Sequence, residues 1–185
     1  MNQPSPVEYT PGRILIACIG NIFFGDDGFG VEVAQRLLSR KTRQYPENVQ
    51  VIDFGIRGIE LAYTLLDNYD TLVLVDAVPR GGPAGTLYLI EPDLVNIDSG
   101  QGVETGRAAP DGHSMDPVKV LAFARTLGAR PIRTLLVGCE PAATGAGEGY
   151  EEMQMGLSEP VQAAIDEAVK MIDSLVEELL AVNIP

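Results

Sequence analysis

Two uninterrupted apolar runs, residues 13–19 (RILIACI) and 71–76 (TLVLVD), constrain the fold of this chain more than any other feature. A strand with one wet face alternates polar and apolar side chains. A run that is apolar throughout is covered on both faces, as in a parallel sheet packed between helices. Segments at helical period stand between such runs. After the first come Val31, Ala34, Leu37 and Leu38, and after a second strand at 49–54 comes a helix at 59–66. Further strands are predicted at 86–90 and 132–137. Asp116 followed by Pro117 reads as an N-cap with proline in the first turn, opening a helix to about Thr126. Ser158 is predicted to cap a last helix whose stripe is Val161, Ile165, Ala168, Ile172, Leu175 and Leu179. No helix separates the strands within 71–90, so one antiparallel pair is expected there. The pattern predicts an α/β fold: a three-layer α/β/α arrangement, with a mostly parallel twisted sheet of about five strands, one of them antiparallel, and helices on both faces.

A chain of 185 residues, 45% apolar, suits one domain spanning 1–185, with the proline-rich stretch 1–11 as a loose tail. Thirteen Lys and Arg against 26 Asp and Glu give a net charge of −13, which argues against binding nucleic acid or an anionic membrane through a basic field. Residues 140–185 hold ten acids and one base (Lys170), a net −9 that leaves −4 for the rest. No apolar run reaches the roughly 18 residues of a membrane span, and the first residues lack the apolar core of a secretory signal. A cytoplasmic protein is expected, with Cys18 and Cys139 as reduced core thiols inside strand-like runs.

In open α/β sheets, ligands bind beyond the carboxyl ends of the strands. Here those ends are acidic: Asp26 and Asp27 follow the first strand, Asp53 ends the second, Asp76 the third, and Glu140 follows the fifth. One such carboxylate is ordinarily a cap or turn residue. Several crowded together repel unless something cationic joins them. The turn Gly20-x-x-x-x-Gly25 has the glycine spacing of a phosphate-binding loop, but Asp26 and Asp27 occupy the positions of its Lys and Ser/Thr. That substitution turns the site against phosphate and towards cations. The dinucleotide pattern Gly-x-Gly-x-x-Gly is absent as well, so NTPase and dehydrogenase readings are set aside. His113, the chain's one histidine, lies in a polar loop (110–116) that follows the fourth strand. An imidazole with two carboxylates is a plausible site for a divalent first-row metal such as nickel or zinc. No zinc-finger, zincin or serine-hydrolase motif is present.

The run 16–31 (IACIGNIFFGDDGFGV) resembles the opening of the nickel–iron hydrogenase maturation endopeptidases (peptidase family M52): a strand, Gly-Asn, apolar residues, Asp-Asp/Glu, Gly and Gly-Val. The likeness continues through Asp53-Phe-Gly55, Leu74-Val-Asp-Ala77, Gly85-Thr-Leu87, His113, Leu135-Leu-Val-Gly138 and Gly156-Leu-Ser158, over about residues 13–180. The resemblance implies a catalytic and metal-contacting set of Asp27, Asp76 and His113. It also implies a substrate, the hydrogenase large-subunit precursor, which brings its own nickel and loses a C-terminal extension. No organic cofactor is expected. The chain departs from the family's common Asp-Gly-Gly-Thr after the second strand, reading Asp53-Phe-Gly-Ile56 and then Arg57-Gly58.

Two other classes stay open on sequence: a nickel-binding chaperone that cleaves nothing, and a general metal-dependent hydrolase of short peptides. Asp26 and Asp27 are likewise assigned separate expectations. Asp26 is expected to be the N-cap of the first helix, and Asp27 the acid of the site.

Overall fold

The computed structural model describes residues 12–41, 44–92, 116–142 and 155–182. Five strands form one sheet: β1 (Ile14–Ile19), β2 (Val49–Gly55), β3 (Thr71–Ala77), β4 (Leu87–Ile90) and β5 (Arg133–Cys139). Their order is β2-β1-β3-β5-β4, all parallel except β4, which runs antiparallel to β5. Four α-helices, α1 (Phe29–Leu38), α2 (Gly58–Thr64), α3 (Pro117–Thr126) and α4 (Glu159–Val182), and two short 3-10 segments complete the described elements.

The apolar runs are covered on both faces, as the pattern predicts. Ile14, Ile16 and Cys18 of β1 join Val73 and Val75 of β3 and Val137 of β5 under α1 and α4. The alternate residues Leu15, Ala17 and Ile19, with Leu72 and Leu74, pack under α2 and α3. Each buried Leu or Ile contributes about 1.5–3 kcal/mol relative to exposure, so neither face can be left wet. Cys18 and Cys139 are free and buried, and burial raises both thiol pKa values, that of Cys139 to about 12. They are core residues rather than reactive ones.

Several boundaries differ from the predicted ones. The helix expected at 59–66 is a shorter α2, continued by a 3-10 turn, Leu65–Asp67, and stopped by Asn68 in the left-handed region at φ 59°. Asparagine tolerates that backbone because its short side chain bonds locally. The strand expected at 132–137 runs to Cys139, which places Glu140 directly at its end. Asp116 caps α3 as predicted, accepting from the Val118 amide at 3.0 Å. The expected tail at 1–11 lies outside the described residues.

One ion pair joins α1 to α4, and a second joins α4 to the residue two past the end of α1. Arg36 pairs with Asp166, and Arg40 pairs with Asp173 at 2.7 Å while the Tyr45 hydroxyl donates to the same carboxylate at 2.6 Å. α1 is therefore fixed at both its apolar face and its polar flank.

The chain leaves β1 for β2 on one side and crosses back to β3 on the other. The topological switch, where a crevice opens beyond the strand ends, thus lies between β1 and β3. The start of α1 closes on that point. A Cβ at Gly30 would stand 2.1 Å from the Ile19 carbonyl oxygen and 2.4 Å from that of Val75. Because both obstructing atoms are backbone, Gly30→Ala is expected to cost about 3 kcal/mol, the upper end of ordinary overpacking. Urea denaturation measures the loss; an unchanged midpoint would show that the helix can withdraw freely.

Candidate active site at the carboxyl edge of the sheet

The turn from β1 to α1 is built on backbone contacts. Gly20 has φ +141°, and a Cβ there would fall 2.0 Å from the Asp27 carbonyl oxygen. The Gly20 amide donates to the Gly55 carbonyl at 3.0 Å, tying the ends of β1 and β2 together. Asn21 organises the rest. Its side-chain oxygen accepts from the Phe23 amide at 3.0 Å, its carbonyl from the Phe24 amide at 3.1 Å, and its own amide donates to Asp27 Oδ2 at 2.8 Å. The turn closes in a 3-10 segment, Gly25–Gly28, that packs against β3.

Asp76 lies near the end of β3, one strand from this turn. Its Oδ1 accepts from the Ala77 amide at 2.8 Å. Burial raises its pKa well above the ordinary carboxylate value, and the negative charge of Asp27 raises it further; the Ala77 bond offsets only part of this. The structure therefore brings together two of the three residues predicted for the site. His113, the third, lies outside the described residues. Among the described residues no cluster of three or more His, Cys, Asp or Glu side chains is arranged to hold a metal ion.

The other acids of this edge do not form one crowd with them. Glu140 is 4% exposed and works as a clasp. It accepts from the amides of Arg80 and Gly81 at 2.8–2.9 Å and from the Tyr88 hydroxyl at 2.8 Å. Burial pushes its pKa up, but the Tyr88 hydroxyl and the amides of Arg80, Gly81 and Gly82 outweigh that and hold it below the usual range. Asp53 is a different case: its Oδ1 is buried with no hydrogen-bond partner among the described residues.

Asp26 corrects the cap assignment. Neither the 3-10 turn nor α1 has a side-chain cap. The Asp26 carboxylate reaches across instead to the β5–α4 connection. It accepts from the amides of Ala142 at 2.8 Å and Ser158 at 2.6 Å, and from the Ser158 hydroxyl at 2.8 Å. Local reasoning assigned Asp26 to its own helix because caps are short-range. Its true partners lie 116 and 132 residues away in sequence.

A sequence model of the hydrogenase maturation proteases matches residues 31–175, well over half of the chain. This chain belongs to the hydrogenase maturation protease family. It is 31% identical over 179 residues to the hydrogenase expression/formation protein HupD of Rhizobium leguminosarum, covering 94% of this chain and 81% of that one. It is 33% identical over 162 residues to HoxM of Azotobacter vinelandii, covering 88% and 71%. Among solved structures, the maturating endopeptidase HybD of E. coli superposes with a TM-score of 0.65 at 27% identity, over 90% of this chain and 93% of that one. The maturation protease HycI of Thermococcus kodakarensis gives 0.56 at 26% identity, over 92% and 94%. This hydrogenase maturation protease is therefore an endopeptidase, a hydrolase that processes a hydrogenase precursor.

The raised pKa of Asp76 has a consequence for stability. The folded protein favours the protonated carboxyl, so stability falls as pH rises from the ordinary carboxylate value through the raised one. Asp76→Asn removes that penalty and keeps an oxygen for the Ala77 amide. The variant is expected to melt higher than the parent at about pH 7, with the gap closing towards about pH 4. Calorimetric melting across that range checks it; a variant that melts lower at neutral pH would contradict the assigned shift.

Proposed function

We propose that this protease removes a C-terminal extension from the large-subunit precursor of a nickel–iron hydrogenase, and that it acts once the precursor carries nickel. The observation that carries this reading is the pairing of Asp27 with Asp76 at the topological switch, where burial first, and the repulsion of Asp27 second, hold Asp76 towards its protonated form. A positive charge delivered to that point relieves the repulsion. Nickel brought by the precursor is such a charge, and Asp27, Asp76 and His113 are the residues assigned to meet it. Recognition and metal loading are then one event.

Hydrolysis breaks an amide C–N bond, adds water's hydroxyl to the acyl carbon and returns a proton to the nitrogen. That proton needs a carrier. Asp76, with its raised pKa, is closer than an ordinary aspartate to the range where a carboxylate both accepts and releases one. A protein substrate also fits the surroundings. Ile22, Phe23 and Phe24, in the turn that leads to Asp27, are 39–45% exposed, and Ile56 beyond β2 is 42% exposed. Apolar side chains grouped at the rim of a polar crevice mark a surface that meets another macromolecule.

The test uses purified precursor in nickel-loaded and nickel-free forms, with the large-subunit mass followed over time. Only the loaded form is expected to shorten. Equal cleavage of both forms would remove the gating, and cleavage of neither would favour a chaperone. Asp27→Ala, Asp76→Ala and His113→Ala are each expected to slow processing by about a hundredfold or more. Asp27→Glu retains part of the rate, because a carboxylate remains and only its reach changes.

A further inference from the structure

Asp26 lies beside Asp27 in the turn from β1 to α1, yet its three hydrogen bonds all run to the distant connection between β5 and α4. It is 7% exposed, and its bonds come from two amides and one hydroxyl, all neutral donors. A buried carboxylate is expensive unless its lone pairs are filled, so its place here needs a reason.

The turn itself supplies one. Glycines stand at 20, 25, 28 and 30, and Gly20 and Gly25 both have positive φ. Glycine has the weakest backbone preference of any residue, so the turn relies on hydrogen bonds, those around Asn21 within it and those that reach out of it, to stay in one shape. No side-chain cap stiffens either helical segment that follows. Asp26 adds a side-chain anchor to the β5–α4 connection, outside the turn. Ser158 directly precedes α4, a 24-residue helix, and its carbonyl accepts the Gln162 amide in the first turn. The carboxylate therefore rests at the positive end of the longest described helix, where an anion is favoured. That helix in turn pairs with α1 through Asp166 and Arg36, and with Arg40 just past the end of α1 through Asp173. Asp27, the next residue, sends its own carboxylate the other way, to the Asn21 amide.

We propose that Asp26 is a positioning residue: it pins the glycine-rich turn to Ala142 and to the start of α4, and so sets where the Asp27 carboxylate stands relative to Asp76. The proposal rests on Asp27 belonging to the active site. Asp26 itself touches neither substrate nor nickel.

Asp26→Asn is the decisive variant. Its amide keeps the size but replaces one accepting oxygen with a donor, which then faces the amide of either Ala142 or Ser158. Ser158→Ala is milder, removing the hydroxyl bond and leaving both amide bonds. Val176→Ala serves as a control: it opens a buried site on α4 away from the turn and lowers stability without touching the tether. The readouts are hydrogen exchange at the turn amides of Asn21, Phe24 and Asp27, and the kcat and KM for the nickel-loaded precursor.

Asp26→Asn is expected to stay folded by circular dichroism and to speed exchange at those amides by about tenfold. Its kcat should fall by about a hundredfold with KM little changed, since displacing a reacting group by an ångström costs about that much. Ser158→Ala should move both readouts in the same direction by less. Val176→Ala should melt lower while cleaving at the parent rate. Exchange that rises at Ala142 and Ser158 alone, leaving Asn21 and Asp27 as in the parent, would reduce Asp26 to a purely local strut and overturn the proposal. So would a Val176→Ala variant that loses kcat as Asp26→Asn does. If the parent chain fails to cleave loaded precursor, the functional reading falls by itself, and exchange at the turn still decides whether Asp26 positions Asp27.

Discussion

The site depends on a contact between backbones. The first turn of α1 lies against the carbonyls of Ile19 and Val75, at a distance that only a glycine at position 30 permits. Those carbonyls belong to the ends of β1 and β3, the two strands that flank the topological switch. By pressing α1 onto both strands, the contact brings the residues just before the helix over the crevice. Asp27 therefore comes near Asp76 as a consequence of main-chain packing. Main-chain packing brings the two elements together, and the Asp26 carboxylate, bonded to Ala142 and Ser158, ties the turn to the β5–α4 connection.

Burial divides the acids of this edge into different roles, although the residue types are nearly the same. Glu140 and Asp26 are the two most enclosed, and their bonds to amides and hydroxyls fill the carboxylates with donors. A carboxylate so satisfied is a structural fastener. Asp76 accepts from the Ala77 amide, is shielded from solvent and has the like charge of Asp27 nearby, and its pKa rises. Such a group is costly for folding and useful for catalysis, the usual pattern where titratable groups are perturbed by burial and a charged neighbour. The fasteners stabilise the loops that carry the costly pair.

The layers of this fold were legible in the sequence because burial on both faces leaves a mark that needs no partner to interpret. A short β-branched run such as Leu72-Val-Leu-Val75 reads as a covered strand, and the stripe from Val161 to Leu179 reads as a helix with one buried face. Asp116 was readable for a similar reason, since a cap bonds two residues ahead of itself. What could not be read were bonds closed by the fold. Nothing near Asp26 in sequence announces Ala142 and Ser158, and nothing near Glu140 announces Arg80, Gly81 and Tyr88. The acidic edge was therefore legible as a composition, and the separation of Asp27 and Asp76 from their neighbours was not. Ser158 held a partial signal: a serine directly before a helix invites a capping role, and here its hydroxyl is donated elsewhere.

This arrangement also separates what must be constant from what is free to vary. The geometry of the crevice is set by glycines, amides and two buried carboxylate fasteners, so changing it means deforming backbone. The rim is set by exposed side chains. Ile22, Phe23 and Phe24 stand out from the turn, Ile56 is exposed beyond β2, and Arg57 on the same connection pairs in the open with Glu60. Substitutions at such exposed positions ordinarily move stability by no more than about 0.5 kcal/mol. Ile56 and Arg57, the exposed part of the segment 53–58 in which the chain departs from the family's common pattern, fall in this rim, and Gly55 beside them is tied to the β1–α1 turn through its bond with Gly20. Exposed residues here can therefore change without disturbing the packing that keeps Asp27 beside Asp76.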